Sequence, residues 1–116
     1  MIMKLHQKKC VPCEGGVSPM RGALLRSYMD QVEGWKLKEK KITKEYVFKD
    51  DREALGFLHR IGRVAVKQGH HPVLNWVYNR VRVEFWTHAI GGLSENDFIM
   101  AAKFDRVYEK KKQSIS

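Results

Sequence analysis

Residues 69–97 have the sequence GHHPVLNWVYNRVRVEFWTHAIGGLSEND and contain three of the five histidines in the chain. Within them, residues 73–78 and 81–87 are rich in the β-branched and aromatic side chains that are typical of strands. Asn79 and Arg80 separate the two runs, and asparagine tolerates the left-handed backbone that a two-residue hairpin turn requires. The sequence therefore predicts an antiparallel hairpin, with a histidine pair before it and another histidine after it.

The register predicted for this hairpin starts from a pair between Tyr78 and Val81. It implies three further cross-strand pairs: Trp76 with Val83, Leu74 with Phe85, and His71 with His88. The large apolar side chains then share one face, so Trp76 and Tyr78 are expected in the core. Trp86 lies on the other face and is a candidate surface for a ligand or a second subunit. A slip of one residue would exchange the two faces and mix this pattern.

The histidines of the hairpin are candidates for general acid–base chemistry, because imidazole titrates near neutral pH. Opposed residues have Cβ atoms about 4.5–5.5 Å apart, so His71 and His88 are expected to act on one small molecule. Adjacent residues of a strand point to opposite faces, so His70 can reach the same molecule only if the backbone is irregular before Pro72. Two other interpretations stand beside this one, since a His-His pair before proline is commonly a loop feature and three histidines could ligate a metal.

The spacing of these residues resembles that of the pterin-4a-carbinolamine dehydratase family, whose animal members also act as a dimerisation cofactor of a homeodomain factor. The residues that carry this spacing are the segment 70–72, Tyr78, His88 and Asp97. The similarity extends to three short segments, 44–50, 77–79 and 93–95, and covers roughly residues 20–108. Many members have a carboxylate four residues before the first histidine, where this chain has Val66.

The resemblance implies a hydro-lyase that removes water from 4a-hydroxytetrahydropterins, giving quinonoid dihydropterins in the recycling of tetrahydrobiopterin. It implies acid–base roles for His70 and His88, while His71 holds the hydroxyl group. The residues expected to bind or enclose the substrate are Pro72, Thr87, Ala89 and Asp97. Neither a metal nor a cofactor other than the pterin is implied.

The resemblance also bears on partners, since it implies a homodimer or homotetramer and an alternative function as a protein-binding transcriptional cofactor. The chain has 22 Lys and Arg against 13 Asp and Glu, for a net charge of +9. The basic residues are spread along the chain, so we expect a solvated basic surface and no direct binding of nucleic acid. No apolar run reaches the roughly 20 residues of a membrane span, which predicts no membrane contact and a cytoplasmic or nuclear location.

With 116 residues, 43% hydrophobic and 30% charged, the chain suits one domain. Residues 1–17 are expected to form an irregular extension, residues 18–109 the dehydratase-like domain, and residues 110–116 a flexible basic tail. Cys10 and Cys13 have the spacing of a redox pair or half a zinc site. Two reduced thiols in an intracellular arm are the simpler interpretation.

The remaining segments predict an alternation of helices and hairpins. Ser18-Pro19 is typical of a helix start, with Gly34 as the end of that helix. Alternating residues in 35–48 predict a first hairpin that turns near residues 39–41. Asp50 or Asp51 is expected to cap a second helix that ends at Gly69, and a capping box at residues 94–97 begins a third helix. The predicted fold is an α+β two-layer sandwich of order α-β-β-α-β-β-α, with helices on one face of a four-stranded antiparallel sheet.

Overall fold

The predicted α+β order is confirmed by the computed structural model, which describes residues 4–12 and 18–114, with side chains to residue 110. Within these residues there are three α-helices: α1 (Gly22–Met29), α2 (Asp51–Gln68) and α3 (Glu95–Ser114). The strands are β1 (Lys36–Lys38), β2 (Lys41–Val47), β3 (Val73–Val77) and β4 (Arg80–Phe85). They form one antiparallel sheet in the order β1-β2-β4-β3, with short 3-10 turns at Leu5–Gln7 and His88–Ile90.

The core lies between the two central strands and helices α2 and α3. Alternate residues of β4 are fully buried, whereas the residues between them stay accessible, as expected for a sheet covered on one face. The buried side chains are dominated by aromatic residues that contact one another across the layers, including Tyr46, Phe57, Phe85, Phe98 and Phe104. The contact between Phe85 and Phe104 joins the end of β4 to the middle of α3.

Helix α2 begins and ends where its sequence predicts. The Asp50 carboxylate accepts a hydrogen bond from the Glu53 backbone N–H at 3.0 Å, which caps the first turn. At the other end Gly69 has φ of 67°, a left-handed conformation that costs glycine little. The local chemistry of the two ends is therefore sufficient to set the length of this helix.

The predicted register of the second hairpin is wrong by two residues. Leu74 pairs with Val83, and Trp76 with Val81, so the turn consists of Tyr78 and Asn79. Tyr78 takes the first turn position with φ of 48°, while the Asn79 side chain donates to the Phe48 carbonyl at 2.8 Å. Because side chains alternate with a period of two, a two-residue slip leaves every residue on its predicted face.

The expectation that Trp76 and Tyr78 belong to the core is wrong. Strand β3 is an edge strand, and all five of its residues are exposed. Trp76 is 46% and Tyr78 64% accessible, although Val81, the cross-strand partner of Trp76, is fully buried. The helices cover the centre of the sheet and leave β3 uncovered, so parity alone does not decide burial here.

Helix α1 begins later and ends earlier than predicted. It starts at Gly22, and Pro19 lies close to Gly92 instead of opening the helix. The Met20 N–H donates to the Leu93 carbonyl at 2.8 Å, which ties this segment to the start of α3. The helix ends at Met29, before the predicted stop at Gly34.

The segment of residues 4–12, which we call the N-terminal arm, packs on α3. Leu5 is buried in the core. The Asn96 side chain accepts from the Val11 N–H at 3.0 Å and donates to the Val11 carbonyl at 2.6 Å, as a paired strand would.

Helix α3 continues to Ser114, past the predicted start of the tail. Cys13 lies outside the described residues, and no described helix is long and apolar enough to cross a membrane.

Candidate active site

The end of α2 sets the position of His70. The Gly69 N–H donates to the Val66 carbonyl and the His70 N–H to the Ala65 carbonyl, each at 3.3 Å. These two bonds form a Schellman motif, which satisfies the last carbonyls of the helix and turns the chain sharply. The backbone of His70 is therefore held before its side chain makes any contact.

The side chain of His70 is held by a fully buried carboxylate. Its Nε2 lies 2.7 Å from Asp97 Oδ1, and Asp97 has no accessible surface. The other oxygen, Oδ2, accepts from the Thr87 hydroxyl at 2.8 Å and from the Ser94 N–H at 3.0 Å. A buried charge is tolerated only when it is hydrogen-bonded, and this carboxylate has a partner on each oxygen.

The imidazole of His70 is also held by a stacked ring. Phe85 lies with its ring centroid 6.1 Å away and its plane inclined by 20°. A carboxylate accepts hydrogen bonds only, so Nε2 must donate and the neutral ring carries its lone pair on Nδ1. The pair formed by His70 and Asp97 is thus arranged as in enzymes where an aspartate orients a histidine base.

The loop after β4 brings Thr87 to this carboxylate. Thr87 and Gly92 form an isolated bridge, in which the Thr87 N–H donates to the Gly92 carbonyl at 2.8 Å. A Cβ at Gly92 would lie 2.7 Å from the Pro19 side chain, so glycine is required by space. The Thr87 hydroxyl lies 2.9 Å from the Ser94 hydroxyl, which completes a small polar network around Asp97.

His88 lies in a different environment, exposed at the start of the 3-10 turn. Its ring centroid is 4.2 Å from that of Trp86, which is half-buried. The Lys41 ammonium sits 5.2 Å from the centroid of the Trp86 ring and 3.8 Å from a Glu84 carboxylate oxygen. An indole with an imidazole and a cation beside it offers a flat surface on which an electron-rich bicyclic ring could stack.

The predicted opposition of His71 and His88 is wrong, because it needs a register two residues away from the observed one, which runs from Val77 with Arg80 to Val73 with Glu84. Extended beyond the strands, the observed register would set His70 opposite Thr87, and both residues contact Asp97. His71 and Ala89 are exposed, and Pro72 is half-buried. Among residues whose side chains are described, no hydrogen bond or ring contact joins His71 or His88 to the pair of His70 and Asp97.

Two residues support the pair in ways that were not identified from the sequence. Phe85 was expected only as a core residue, and Thr87 as part of a pocket wall, whereas both hold the His70 and Asp97 pair in place. No local pattern marks Thr87, since its contact depends on the loop that returns from Gly92. Within residues 4–12 and 18–110, no three His, Cys, Asp or Glu side chains group as a metal site would require.

Comparisons with known proteins bear on this site. The family described as Pterin 4 alpha carbinolamine dehydratase matches residues 18–107. A relative from Dechloromonas aromatica, provisionally named as a pterin-4-alpha-carbinolamine dehydratase, is 45% identical over 105 residues, which are 90% of this chain and 94% of the relative. One from Chlorobaculum tepidum, named in the same way, is 40% identical over 110 residues, which are 91% and 99% of the two chains.

A crystal structure from Brucella melitensis, described as a transcriptional coactivator/pterin dehydratase, has a similar fold. Its TM-score is 0.74 at 30% identity, and the match covers 78% of this chain and 98% of the other. The family match spans the whole sheet and all but the last turns of α3. By fold and by sequence, this chain belongs to the pterin-4a-carbinolamine dehydratase family.

Proposed function

We propose that this protein dehydrates 4a-hydroxytetrahydropterins to quinonoid dihydropterins, as in the recycling of tetrahydrobiopterin. In this elimination the bond between C4a and the hydroxyl oxygen breaks, a proton leaves a ring nitrogen, and a carbon–nitrogen double bond forms. Water is the second product, and no oxidant or reductant is consumed. The reaction needs a base at the nitrogen and an acid at the departing hydroxyl.

The observation that carries the proposal is the hydrogen bond of 2.7 Å between His70 and the buried Asp97. It places the lone pair of His70 on Nδ1, on the side of the ring away from the carboxylate. The imidazole is 13% accessible, so one edge of it reaches solvent or a ligand. His70 is therefore suited to take or return a proton, and Asp97 stabilises the imidazolium that results.

His88 is proposed as the second acid–base group and His71 as the group that holds the hydroxyl. Both are exposed, as groups must be to reach a substrate that enters from solvent. Trp86 beside His88 would stack on the pterin ring, with Pro72 and Ala89 at the edge of the site. Thr87 is proposed to act through Asp97, because its hydroxyl donates a hydrogen bond to that carboxylate.

The test is the rate at which chemically generated 4a-carbinolamine is lost, with and without a chelator. We expect acceleration over buffer that the chelator does not alter. His70→Ala and His88→Ala should each lower the rate by about 10²–10⁴, with the thermal unfolding midpoint little changed for exposed His88. His59→Ala, an exposed histidine of α2, is the matched control and should keep the full rate. A wild-type rate equal to buffer would eliminate the proposed enzyme.

Binding of another protein is a second candidate function, favoured by an exposed apolar surface. We call the exposed apolar side chains of strand β3 and helix α2 together the β3–α2 patch; its members are Leu55, Val66, Val73, Leu74, Trp76 and Val77, which are 39–73% accessible. Exposed apolar side chains on an unpaired strand edge tend to join other chains. We propose that the patch joins copies of this chain into a dimer or tetramer, and that a protein partner would compete for it.

A further inference from the structure

A groove of about 410 Å³ lies between the end of α2, the middle of α3 and the N-terminal arm. Four of its eight lining residues are Lys or Arg, a fifth is His6, and none is acidic. The four cationic residues are Lys67, Lys103, Arg106 and Lys110. This basic groove shares no residue with the His70 and Asp97 pair and is not used in the proposed reaction.

The fold brings the four cationic side chains of the groove close together. Lys103, Arg106 and Lys110 follow at spacings of three and four along α3, which puts them on one face of that helix. Lys67 comes from the last turn of α2. The arm supplies a third side, because the Lys103 ammonium donates to the His6 carbonyl at 2.9 Å.

The positive charge of the groove is only partly neutralised by the protein, since of its four cations Arg106 lies 3.9 Å from a carboxylate oxygen of Glu109. Elsewhere, Lys8 is paired with Glu95 and Lys44 with Asp105, each at 2.9 Å or less. Among residues whose side chains are described, no carboxylate lies within 4 Å of the ammonium groups of Lys67, Lys103 or Lys110. A groove that holds these three lysines together without counter-charges is suited to bind an anion.

The pKa values of the groove agree with this charge excess. Burial lowers the pKa of Lys103, and Lys67 and Lys9 lower it further, although Cys10 acts in the opposite direction. Burial and three cations, Arg106, Lys4 and Lys103, likewise lower the pKa of His6, with Glu109 opposing them. An anion among these groups would relieve the repulsion between them and raise both values.

We propose that the basic groove binds a phosphate-bearing small molecule of about the size of a nucleotide. Lys and Arg are the side chains that proteins use for phosphate groups, and about 300–1,000 Å³ is the usual volume of a small-molecule site. Gln68 lines the groove too, and its Oε1 already accepts from the Cys10 N–H, so its amide N–H₂ remains as a donor. Val64 and Val107 supply an apolar wall.

A small molecule fits the groove better than a single strand of nucleic acid does. Single-stranded sites combine a basic track with aromatic side chains on which bases stack. The groove is lined by no Phe, Tyr or Trp, and its cations converge on one concave space. The inference is independent of the proposed dehydratase activity, because no residue of the groove belongs to the candidate active site.

The test is calorimetric titration of the full chain with pyrophosphate, inorganic phosphate, adenosine diphosphate and a single-stranded oligonucleotide. We expect saturable binding of one pyrophosphate or nucleoside diphosphate per chain. The double variant Lys67→Gln with Lys103→Gln should weaken it by about tenfold or more, since charge-assisted contacts are lost. Lys36→Gln with Lys38→Gln, on the exposed edge strand β1, removes the same charge and should stay within about twofold of wild type.

Two further measurements keep the test independent of folding. Lys67→Gln with Lys110→Gln leaves the contact between Lys103 and His6 intact and should weaken binding comparably. In the wild-type protein, pyrophosphate should raise the pKa of His6, followed by the NMR shift of its ring protons. Absence of saturable binding, equal weakening by the β1 variant, or preference for the oligonucleotide over every small phosphate would each overturn the proposal.

Discussion

At the scale of single residues, the site depends on Asp97, whose two oxygens hold three elements together. Oδ1 binds His70 after α2, while Oδ2 binds Thr87 after β4 and the Ser94 N–H at the start of α3. One side chain therefore caps a helix, which its position in the sequence predicts, and orients His70, a contact that only the fold creates. Because Asp97 is fully buried, water cannot replace it in either role.

Asp97→Asn is expected to abolish most of the activity while leaving the fold in place. The amide oxygen can still accept from Ser94 and Thr87, but the amide N–H₂ now faces His70. Its Nε2 must then accept, so the proton of the ring moves to Nδ1 and the base is lost. We expect a loss of about 10²-fold or more in kcat, with KM little changed.

The ring proton of His70 provides the readout that separates orientation from stability. Nitrogen NMR should show the hydrogen on Nε2 in the wild type and on Nδ1 in Asp97→Asn. Asp30→Asn, at an exposed aspartate after α1, is the control and should change neither rate nor tautomer. Full activity in Asp97→Asn would contradict the role given to this carboxylate.

At the scale of elements, the geometry of the site is set by the end of α2 and the start of α3. The end of α2 depends on Gly69. Gly69→Ala places a Cβ at φ of 67°, where nothing lies within 4 Å of it, so the cost is in the backbone alone. We expect a loss of about 1 kcal/mol in the free energy of unfolding. Urea denaturation measures it, and activity should fall because His70 is the next residue.

Gly62→Ala is the matched control for that change. It lies within α2, and a Cβ there also meets nothing within 4 Å. Alanine is favoured over glycine in a helix, so this variant should gain about 0.5–1 kcal/mol and keep its activity. The changes in the free energy of unfolding are expected to have opposite signs for Gly69→Ala and Gly62→Ala. Equal signs would show that the end of α2 is not held as described.

Glu95 joins three elements and gives the fold a dependence on pH. Its carboxylate accepts from Tyr28 of α1 at 2.6 Å and from Lys8 of the arm at 2.9 Å. The bonds to Tyr28 and Lys8 lower the pKa of Glu95 below its ordinary 4.5, and the bond to Glu95 raises the pKa of Tyr28 to about 12. Near pH 4 the folded chain therefore binds fewer protons at Glu95 than the unfolded chain does.

The stability that Glu95 contributes is complete well above pH 4.5 and is lost as the pH falls through that value toward its lower folded pKa. Glu95→Gln should remove this part of the pH dependence. The effect should be about 1 kcal/mol or less, because the side chain is 40% accessible and solvent screens the pair. Urea denaturation from pH 3 to 7 measures it, and Glu33→Gln should reproduce the wild-type curve.

At the scale of the whole molecule, the exposed edge strand β3 points to association between copies. Both faces of this strand carry apolar side chains that no described element covers. Unpaired strand edges with such side chains tend to join other chains. Helix α3, in contrast, buries most of its apolar residues in the core, which leaves the β3–α2 patch as the more suitable interface.

Trp76→Lys should therefore change assembly instead of emptying a core site. Light scattering should give a mass above the 13.6 kDa of one chain for the wild type and 13.6 kDa for the variant. The thermal midpoint of the monomer should change little, because the indole is 46% accessible. Leu37→Lys, at a similarly exposed leucine of the opposite edge strand, should leave the mass unchanged. A wild-type mass of 13.6 kDa at all concentrations would contradict the prediction.

The sequence by itself determined the order of the elements, both ends of α2, the start of α3 and the residue types of the candidate site. These depend on local chemistry: Asp50 caps a helix through a residue three positions away, and Gly69 supplies the one backbone conformation that other residues resist. The face on which each residue of the second hairpin lies was also predictable, because alternation along a strand is local.

Only the tertiary structure decided the register of that hairpin, the exposure of β3 and the partner of His70. A shift of two residues keeps every face unchanged, so the pattern of apolar residues could not exclude it. Trp76 has the parity of a core residue but lies at an edge that the helices do not reach. His70 and Asp97 are 27 residues apart and meet only because α2, β4 and α3 pack on one core, which is a property of the whole fold.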